Sequence, residues 1–309
     1  MPLDGVPLMD TVQRPGWLAT WYQASRPQFF VATLIPLTLG TVLASREVAV
    51  NWVLFLVVVL SSFLVHLGTN LANDLFDHLA GTDDGESIGG SRVLQQGLLT
   101  TRHLVTALVL LYGTAALGGL YLLLATREWW LAVYMLLAFC SSLFYTAPPL
   151  RLGYHGLGEL TVFVNMGPVM VTGAYCVQTG YLDWDALLIS LPTGIMVAMI
   201  LYFQSLPDIE TDRRAGKRTI ATRLGRDSAI TGIFVFGIAA VATIVALVAL
   251  RELSWIAIGS LLTLPILRRI AGLLRSTPDW QDVHGRGKVV RLFYLANGIL
   301  MILATRLPG

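Results

Sequence analysis

Nine long apolar runs constrain the fold of this chain more than any other feature of its sequence. Each run reaches the roughly 17 to 25 residues that an α-helix needs to cross a hydrocarbon layer about 30 Å thick. Inside a bilayer only helices and closed barrels satisfy every backbone polar group, and no strand-like alternation competes here. We therefore predict an all-α integral membrane protein with nine transmembrane helices. The predicted spans are residues 28–45, 52–72, 104–125, 129–147, 157–178, 186–206, 229–250, 253–273 and 289–306.

The composition supports this fold class. Hydrophobic residues make up 55% of the 309 residues and charged residues only 13%, and the mean hydropathy is +0.68. Such a chain is too apolar for an ordinary soluble domain, so the lipid bilayer is its expected partner. The net charge of +2 gives no reason to expect a nucleic-acid partner. Both cysteines lie inside apolar runs, which argues against a disulfide framework. The oligomeric state is left open.

One membrane domain is predicted over residues 1–309. Residues 1–27 precede the first span and carry Trp17 and Trp21 among polar neighbours. Tryptophan at this position is typical of a segment that lies in the membrane interface. Residues 28–306 then form the nine-helix bundle.

The basic residues are distributed unevenly between alternate loops. Of the 21 Lys and Arg residues, 17 lie in the N-terminal segment and in every second loop after it. Because positively charged residues are retained on the cytoplasmic side, the N-terminus and these loops are predicted to be cytoplasmic. The expected location is a bacterial or archaeal cell membrane, with a central cavity open to the cytoplasm.

Two acidic segments end apolar runs on this cytoplasmic side. The first reads NLANDLFDHLAG at residues 70–81 and the second reads QSLPDIETDRRAG at residues 204–216. The polar residues of the first recur at helical spacing and so share one face. An unpaired carboxylate at membrane depth is costly, so both segments require a cation or a proton as a partner. Their likeness, four helices apart, predicts that they face each other across one cavity.

The two segments together predict a magnesium site that binds a diphosphate. Mg²⁺ characteristically binds one or two carboxylates together with substrate phosphates. The predicted metal ligands are Asn73, Asp74, Asp77, Asp208 and Asp212. Basic residues after the second segment can stabilise the negative charge that grows on a departing diphosphate. These basic residues are Arg213, Arg214, Lys217, Arg218 and Arg223.

These motifs resemble the UbiA superfamily of intramembrane prenyltransferases, and within it the branch that acts on 1,4-dihydroxy-2-naphthoate in menaquinone synthesis. The resemblance is carried by NDLFD at 73–77, DIETD at 208–212, GGSRVLQQGLLT at 89–100 and FYTAPPLRLGYHGLGE at 144–159. It implies Mg²⁺-dependent transfer of a polyprenyl chain from polyprenyl diphosphate to an aromatic acceptor. In the naphthoate branch the attacked ring carbon loses its carboxylate as CO₂.

The resemblance also implies roles for individual residues. The catalytic residues it implies are Asp74, Asp77, Asp208, Asp212 and Lys217. The substrate-binding residues it implies are Arg26, Asn70, Asn73, Arg92, Gln95, Tyr145, Arg213 and Arg223. In the mechanism that this implies, Phe144, Tyr145 and Tyr154 are candidates to face the allylic cation and the ring, although aromatic residues near a helix end are more often anchors at the membrane interface. His66 is predicted to be a hydrogen-bonded core residue.

The chain departs from the superfamily pattern at two positions. Gly81 stands where the first motif often has a third Asp, and Asp83 and Asp84 follow as open candidates for that ligand. Pro149 stands where some 4-hydroxybenzoate enzymes have the Lys of a Tyr-x-x-x-Lys element. Both departures favour the naphthoate branch.

Two kinds of alternative function stay open at this point. In the first kind, the chain is still a prenyltransferase of this superfamily, but it acts on a different acceptor. The acceptors left open are 4-hydroxybenzoate, homogentisate, chlorophyllide, haem and a glycerol phosphate lipid. In a different class, an ion-coupled transporter also uses intramembrane acids and internal repeats. A transporter should carry its acids in the middle of its spans, whereas these acids cluster at helix ends beside basic residues.

Overall fold

The computed structural model describes residues 15–82 and 88–306, and within these ranges the protein contains helices and turns but no strands. The all-α prediction is therefore confirmed over these residues. The α-helices are α1 (Trp17–Ser25), α2 (Val31–Ala44), α3 (Trp52–Leu79), α4 (Thr101–Thr126), α5 (Leu131–Leu143), α6 (Gly158–Val164), α7 (Met170–Thr179), α8 (Trp184–Gln204), α9 (Ile209–Arg214), α10 (Ile220–Ala249), α11 (Leu264–Ser276) and α12 (Lys288–Arg306). Segments of 3₁₀ or π-helix lie between them at Pro27–Phe29, Leu152–His155, Asn165–Val169, Trp255–Thr263 and Trp280–Arg286.

Seven helical stretches of the described chain are long and apolar enough to cross a membrane. Two of them are composite, because a π turn joins α6 to α7 and a 3₁₀ segment runs into α11. The seven coincide with the second, third and fifth to ninth predicted spans. They are Trp52–Leu79, Thr101–Thr126, Gly158–Thr179, Trp184–Gln204, Ile220–Ala249, Trp255–Ser276 and Lys288–Arg306.

The first and fourth predicted spans differ from this set. Helix α2 and the preceding segment Trp17–Phe29 are bent by 50° at a short break, and together they pass the same test as one broken span. The fourth predicted span, 129–147, contains α5, which is apolar but only 13 residues long. It ends at Leu143, shortly before Pro148 and Pro149, whose rings do not fit a continuing helix. By length and composition the described chain has seven spans, or eight with the bent pair.

Side-chain caps fix where the helices around the acidic segments begin. Asn51 accepts hydrogen bonds from two backbone N–H groups at the start of α3. Thr219 accepts one from Thr222 at the start of α10. Such caps satisfy backbone donors that have no partner inside the helix. The Thr219 cap also fixes the end of the basic loop that joins α9 to α10.

Two buried clusters hold the helices together. The larger one joins α2, α7, α8, α10 and α12, and the smaller one joins α1, α3 and α4. Glycine allows α2 and α7 to approach closely, because a Cβ atom on Gly40 would collide with the carbonyl oxygen of Val171. Large apolar side chains cover the outer surfaces of α4 and α5, as expected for surfaces that face lipid. Examples are Val109, Leu117 and Leu136.

Candidate active site

The last turns of α3 and the short helix α9 meet at one end of the bundle and enclose a polar pocket of about 150 Å³. The turn before α2, the loop between α5 and α6, and the end of α8 complete its wall. The two acidic segments therefore face one pocket, as their likeness predicts. The predicted site residues that line the pocket are Arg26, Asp77, Tyr145, Asp208, Asp212 and Lys217.

Asp74 is buried behind the wall of this pocket, with 3% of its surface exposed. Its carboxylate pairs with the Arg26 guanidinium and accepts a hydrogen bond from the Ser91 hydroxyl. The Ser91 backbone N–H donates a further bond to it at 3.2 Å. Arg26 adopts a left-handed backbone conformation, with φ of 51°, between α1 and the following 3₁₀ turn. Protein donors therefore reach both oxygens of Asp74, and the contact with Arg26 ties α3 to the start of the first span.

Asp77 lies on the same face of α3, one turn further on, and it lines the pocket. Its Oδ1 accepts a hydrogen bond from the Tyr154 hydroxyl at 2.6 Å. The Nζ of Lys217 lies 3.2 Å from Oδ2 of Asp77 and 3.5 Å from Oδ1 of Asp212. That ammonium also sits 4.9 Å from the centre of the Tyr154 ring. Lys217 thus joins the two acidic segments, and Tyr154 contacts both partners of the first ion pair.

Among the described residues, Asp208 is held by backbone donors. The N–H groups of Ile88 and Gly89 lie 3.1 and 3.3 Å from its Oδ1. A Cβ atom at residue 89 would lie 2.7 Å from Oδ2 of Asp208, so any other residue there requires this carboxylate to shift. The Gly89-Gly90 pair therefore lets the backbone approach a carboxylate that lines the pocket.

We expect Gly89→Ala to weaken the binding of Mg²⁺ with inorganic pyrophosphate about 10- to 100-fold, the usual loss when a residue that orients a metal ligand is changed. The added methyl group forces the Asp208 carboxylate to shift relative to its two backbone donors and so changes the direction of its oxygens. Isothermal titration calorimetry measures the affinity. Gly272→Ala on α11 is the matched control, because nothing lies within 4 Å of its Cβ position. Equal affinity in both variants would contradict the predicted role of Asp208 as a metal ligand.

Acidic side chains outnumber basic ones in the wall of the pocket. Burial raises the pKa of Asp212 to about 6, although the Lys217 ammonium lowers it, and the charges of Asp208 and Asp77 raise it further. The pKa of the Tyr154 hydroxyl is also raised, first by burial and then by the charge of Asp77. Three acids, Asp77, Asp208 and Asp212, line the pocket with two basic residues, and one of these, Arg26, already pairs with Asp74 behind the wall. Additional positive charge in the pocket is therefore favourable.

The side chains of the pocket have the chemistry to bind Mg²⁺ together with a diphosphate. Within the described ranges no three His, Cys, Asp or Glu side chains converge into one metal cluster, so each ion would take one or two of the carboxylates Asp77, Asp208 and Asp212. Mg²⁺ prefers this arrangement, with phosphate and water oxygens as its other ligands. The Nε of Arg26 is buried and has no hydrogen-bond partner among the described residues. It is therefore a donor that an anion in the pocket can use.

Other predicted site residues lie outside the pocket wall. The Asn70 amide donates to the carbonyl oxygen of Ser25 at 3.2 Å, and Asn73 accepts a bond from the Thr146 hydroxyl at 2.5 Å. These two amides brace the segments on either side of α3.

The other residues that were predicted to bind substrate stay predictions in that role. Arg213 pairs with Glu210 at the surface, Arg223 reaches a backbone carbonyl group, and Arg92 and Gln95 do not line the pocket. Asp83 and Asp84 lie outside the described residues.

Sequence reasoning missed the contacts of three hydroxyl groups. The Ser91 hydroxyl donates a hydrogen bond to Asp74, and the Thr146 hydroxyl donates one to Asn73. The hydroxyl groups of Thr82 and Tyr154 form a hydrogen bond of 2.6 Å with each other. Ser91 follows directly after the Gly89-Gly90 pair, which is a local signal. Nothing in the sequence marks the other two, because their partners are more than 70 positions away along the chain.

A second, apolar cavity of about 480 Å³ lies between α3, α4, α5 and the α6–α7 span. Tyr145 lines both this cavity and the polar pocket. His66 lines it as well, and its Nδ1 forms a 2.6 Å hydrogen bond with Thr33, so it is the hydrogen-bonded buried residue that was predicted. The polar pocket and the apolar cavity are therefore adjacent, and Tyr145 forms part of the wall of both.

Comparison with known proteins agrees with this arrangement. A model of the UbiA prenyltransferase family matches residues 33–282. The 1,4-dihydroxy-2-naphthoate octaprenyltransferase of Mycobacterium tuberculosis is 36% identical over 259 residues, which cover 84% of this chain and 87% of that protein. The protein of the same name from Bacillus subtilis is 36% identical over 211 residues, which cover 68% of this chain and 67% of the relative.

Solved structures share the fold at low sequence identity. A UbiA homolog from Archaeoglobus fulgidus bound to GPP and Mg²⁺ matches with a TM-score of 0.60 and 14% identity, over 92% of this chain and 99% of that chain. A UbiA homolog from Aeropyrum pernix K1 matches with a TM-score of 0.60 and 19% identity, over 90% of this chain and 97% of that one. The predicted resemblance is confirmed, and the transporter alternative falls away. The chain is an integral membrane prenyltransferase that belongs to the UbiA prenyltransferase family.

Proposed function

We propose that this enzyme transfers a polyprenyl group from polyprenyl diphosphate to 1,4-dihydroxy-2-naphthoate, with Mg²⁺ as cofactor and loss of CO₂, in menaquinone synthesis. The observation that carries the proposal is the meeting of the two spaces at Tyr145. One holds Asp77, Asp212 and Lys217, which suit a magnesium diphosphate, and the other is apolar. The names of the relatives from Mycobacterium tuberculosis and Bacillus subtilis support the acceptor.

The basic side chains of the pocket bind and polarise the diphosphate in this proposal. Lys217 and Arg26 line the pocket and would hold the oxygens on which negative charge grows. When bound, Mg²⁺ supplies Lewis acidity at the same oxygens. Tyr145 would face the carbon from which the diphosphate departs, where its ring can stabilise a developing cation. Holding donor and acceptor together accounts for much of the remaining rate.

The proposed reaction balances in atoms and electrons without an additional reactant. The C1–O bond of the donor breaks, and its electron pair leaves with the diphosphate. A ring π pair of the acceptor forms the new bond to C1. The bond between the attacked ring carbon and its carboxylate then breaks, CO₂ leaves, and the electron pair of that bond restores the aromatic ring. No covalent enzyme intermediate is required.

The apolar cavity would hold the first part of the prenyl chain. Its volume of about 480 Å³ lies in the range of pockets that bury small organic ligands. Polar side chains such as Thr69, Tyr112 and Ser142 satisfy one another on its wall, with hydrogen bonds of 2.5 and 2.8 Å. Their mutual pairing leaves a surface suited to hydrocarbon. The rest of a long chain would pass between helices into lipid.

The proposed topology is one domain over residues 1–309 with nine membrane crossings. It counts the bent pair Trp17–Phe29 and Val31–Ala44 as one crossing and α5 as a short one. The N-terminus and the polar pocket are placed on the cytoplasmic side of a bacterial or archaeal cell membrane. Support comes from the 17 of 21 basic residues in that segment and its alternate loops.

A direct assay tests the proposal. Purified protein is mixed with Mg²⁺, a polyprenyl diphosphate and one acceptor at a time, and products are identified by mass spectrometry. The acceptors are 1,4-dihydroxy-2-naphthoate, 4-hydroxybenzoate, homogentisate, chlorophyllide, haem and a glycerol phosphate lipid. We expect prenylated product, diphosphate and CO₂ with the naphthoate. Faster transfer to another acceptor would replace the proposed substrate, and no transfer to any of them would end the proposal.

A further inference from the structure

Two glutamines in the wall of the polar pocket have no role so far. Gln28 lies in the 3₁₀ turn before α2, and Gln204 is the last residue of α8. Both line the pocket together with Asp77 and Lys217. Gln28 is exposed and Gln204 is half-buried, and among the described residues neither side-chain amide forms a hydrogen bond with the protein.

Their neighbours in the pocket wall differ in this respect. Thr146 donates to Asn73 at 2.5 Å, Tyr154 donates to Asp77 at 2.6 Å, and the Ser205 hydroxyl donates to a backbone carbonyl group at 3.1 Å. These polar groups are therefore committed to holding the protein together. The two amides remain available to a ligand, and each offers both a donor and an acceptor.

The chemistry of the pocket separates two kinds of ligand group. The charged side chains suit a metal and a diphosphate, whereas neutral amides suit hydroxyl and carboxylate groups on a ring. Each glutamine has an apolar neighbour that lines the same pocket, Phe29 beside Gln28 and Leu201 before Gln204. A flat ring with polar substituents on one edge matches this combination.

We propose that Gln28 and Gln204 bind the hydroxyl and carboxylate edge of the aromatic acceptor and so set the choice of acceptor. The inference rests on the proposed function. An amide N–H₂ group donates to a carboxylate, and an amide carbonyl oxygen accepts from a ring hydroxyl group. A site built around such bonds rejects an analogue that lacks the oxygen, because its own polar groups are then left unpaired.

The test compares Gln28→Met and Gln204→Met, singly and together, with wild type. Methionine keeps much of the side-chain length and removes both hydrogen-bonding atoms. Gln178→Met is the matched control, because Gln178 bonds Asn51 at the opposite end of the bundle. The KM for 1,4-dihydroxy-2-naphthoate should rise about 5-fold for each single variant. The KM for polyprenyl diphosphate should not change. Discrimination against 1,4-dihydroxynaphthalene, which lacks the carboxylate, should fall.

Direct binding of the acceptor gives a second measurement that does not depend on turnover. Titration of wild-type protein with 1,4-dihydroxy-2-naphthoate should show binding that weakens in the double variant. An unchanged acceptor KM, a rise in the donor KM instead, or no binding of the acceptor to wild type would each overturn the inference. If wild type transfers prenyl groups normally while the variants behave like it, only this inference fails. If wild type transfers none, the proposed function fails first.

Discussion

Replacing Lys217 with methionine is expected to lower prenyl transfer about 100- to 1,000-fold, the loss seen when one preorganised donor to a developing anion is removed. Its ammonium lies 3.2 Å from Asp77 and 3.5 Å from Asp212. The substitution removes a positive charge that would face the diphosphate. It also leaves two carboxylates in the pocket without their shared cation, so the remaining negative charge opposes binding of the donor. Steady-state assays in detergent micelles measure both kcat and KM.

Arg275→Met provides the matched control for this loss. Arg275 is an exposed cation near the end of α11, and it does not line the pocket. Surface charges of this kind contribute little, so its activity should stay near that of wild type. Lys217→Arg keeps the charge but changes its shape and should recover only part of the activity. A Lys217→Met variant with more than about half of wild-type turnover would remove Lys217 from the mechanism.

The acidic and basic residues of the pocket could be predicted because their motifs are local. Asp74 and Asp77 lie one turn apart on a helix, and Lys217 follows Asp212 by five positions. Helical spacing places the two acids of α3 on one side without knowledge of the tertiary fold, and Lys217 stays near Asp212 because it lies in the short loop that follows α9. Their convergence required only that two similar segments end on the same side of the membrane, which the distribution of basic residues indicates.

The finer contacts depend on how distant segments pack, so the sequence does not contain them in readable form. Tyr154 reaches Asp77 across 77 positions, and Arg26 reaches Asp74 across 48. Hydropathy also overestimated the length of the fourth span, since apolar residues continue past Leu143 into a turn that contains Pro148 and Pro149. The length of an apolar run indicates how many residues can lie in the hydrocarbon layer. Where the helix ends depends on backbone geometry, which hydropathy does not report.

Replacing Arg26 with methionine is expected to have the largest effect on stability. The Arg26 and Asp74 side chains are 14% and 4% exposed, so their ion pair is largely withdrawn from solvent. Removing one partner of a buried pair leaves an uncompensated charge and costs about 3 kcal/mol or more. The apparent Tm in detergent should fall by about 6 °C, a shift that follows from the usual entropy of unfolding. Thermal unfolding followed by circular dichroism measures it.

The double variant Arg26→Met with Asp74→Asn separates stability from catalysis. The amide at residue 74 carries no charge. Its carbonyl oxygen can accept the bond from the Ser91 backbone N–H, and its NH₂ group can donate to the Ser91 hydroxyl, which then acts as the acceptor. Much of the lost Tm should therefore return, because no buried charge is left unpaired. Prenyl transfer should stay low, because the guanidinium that would face the diphosphate is still missing and residue 74, a predicted catalytic residue, no longer carries a carboxylate. Recovery of both properties would show that Arg26 serves the fold alone, and recovery of neither would show that the ion pair is not what stabilises this end of the bundle.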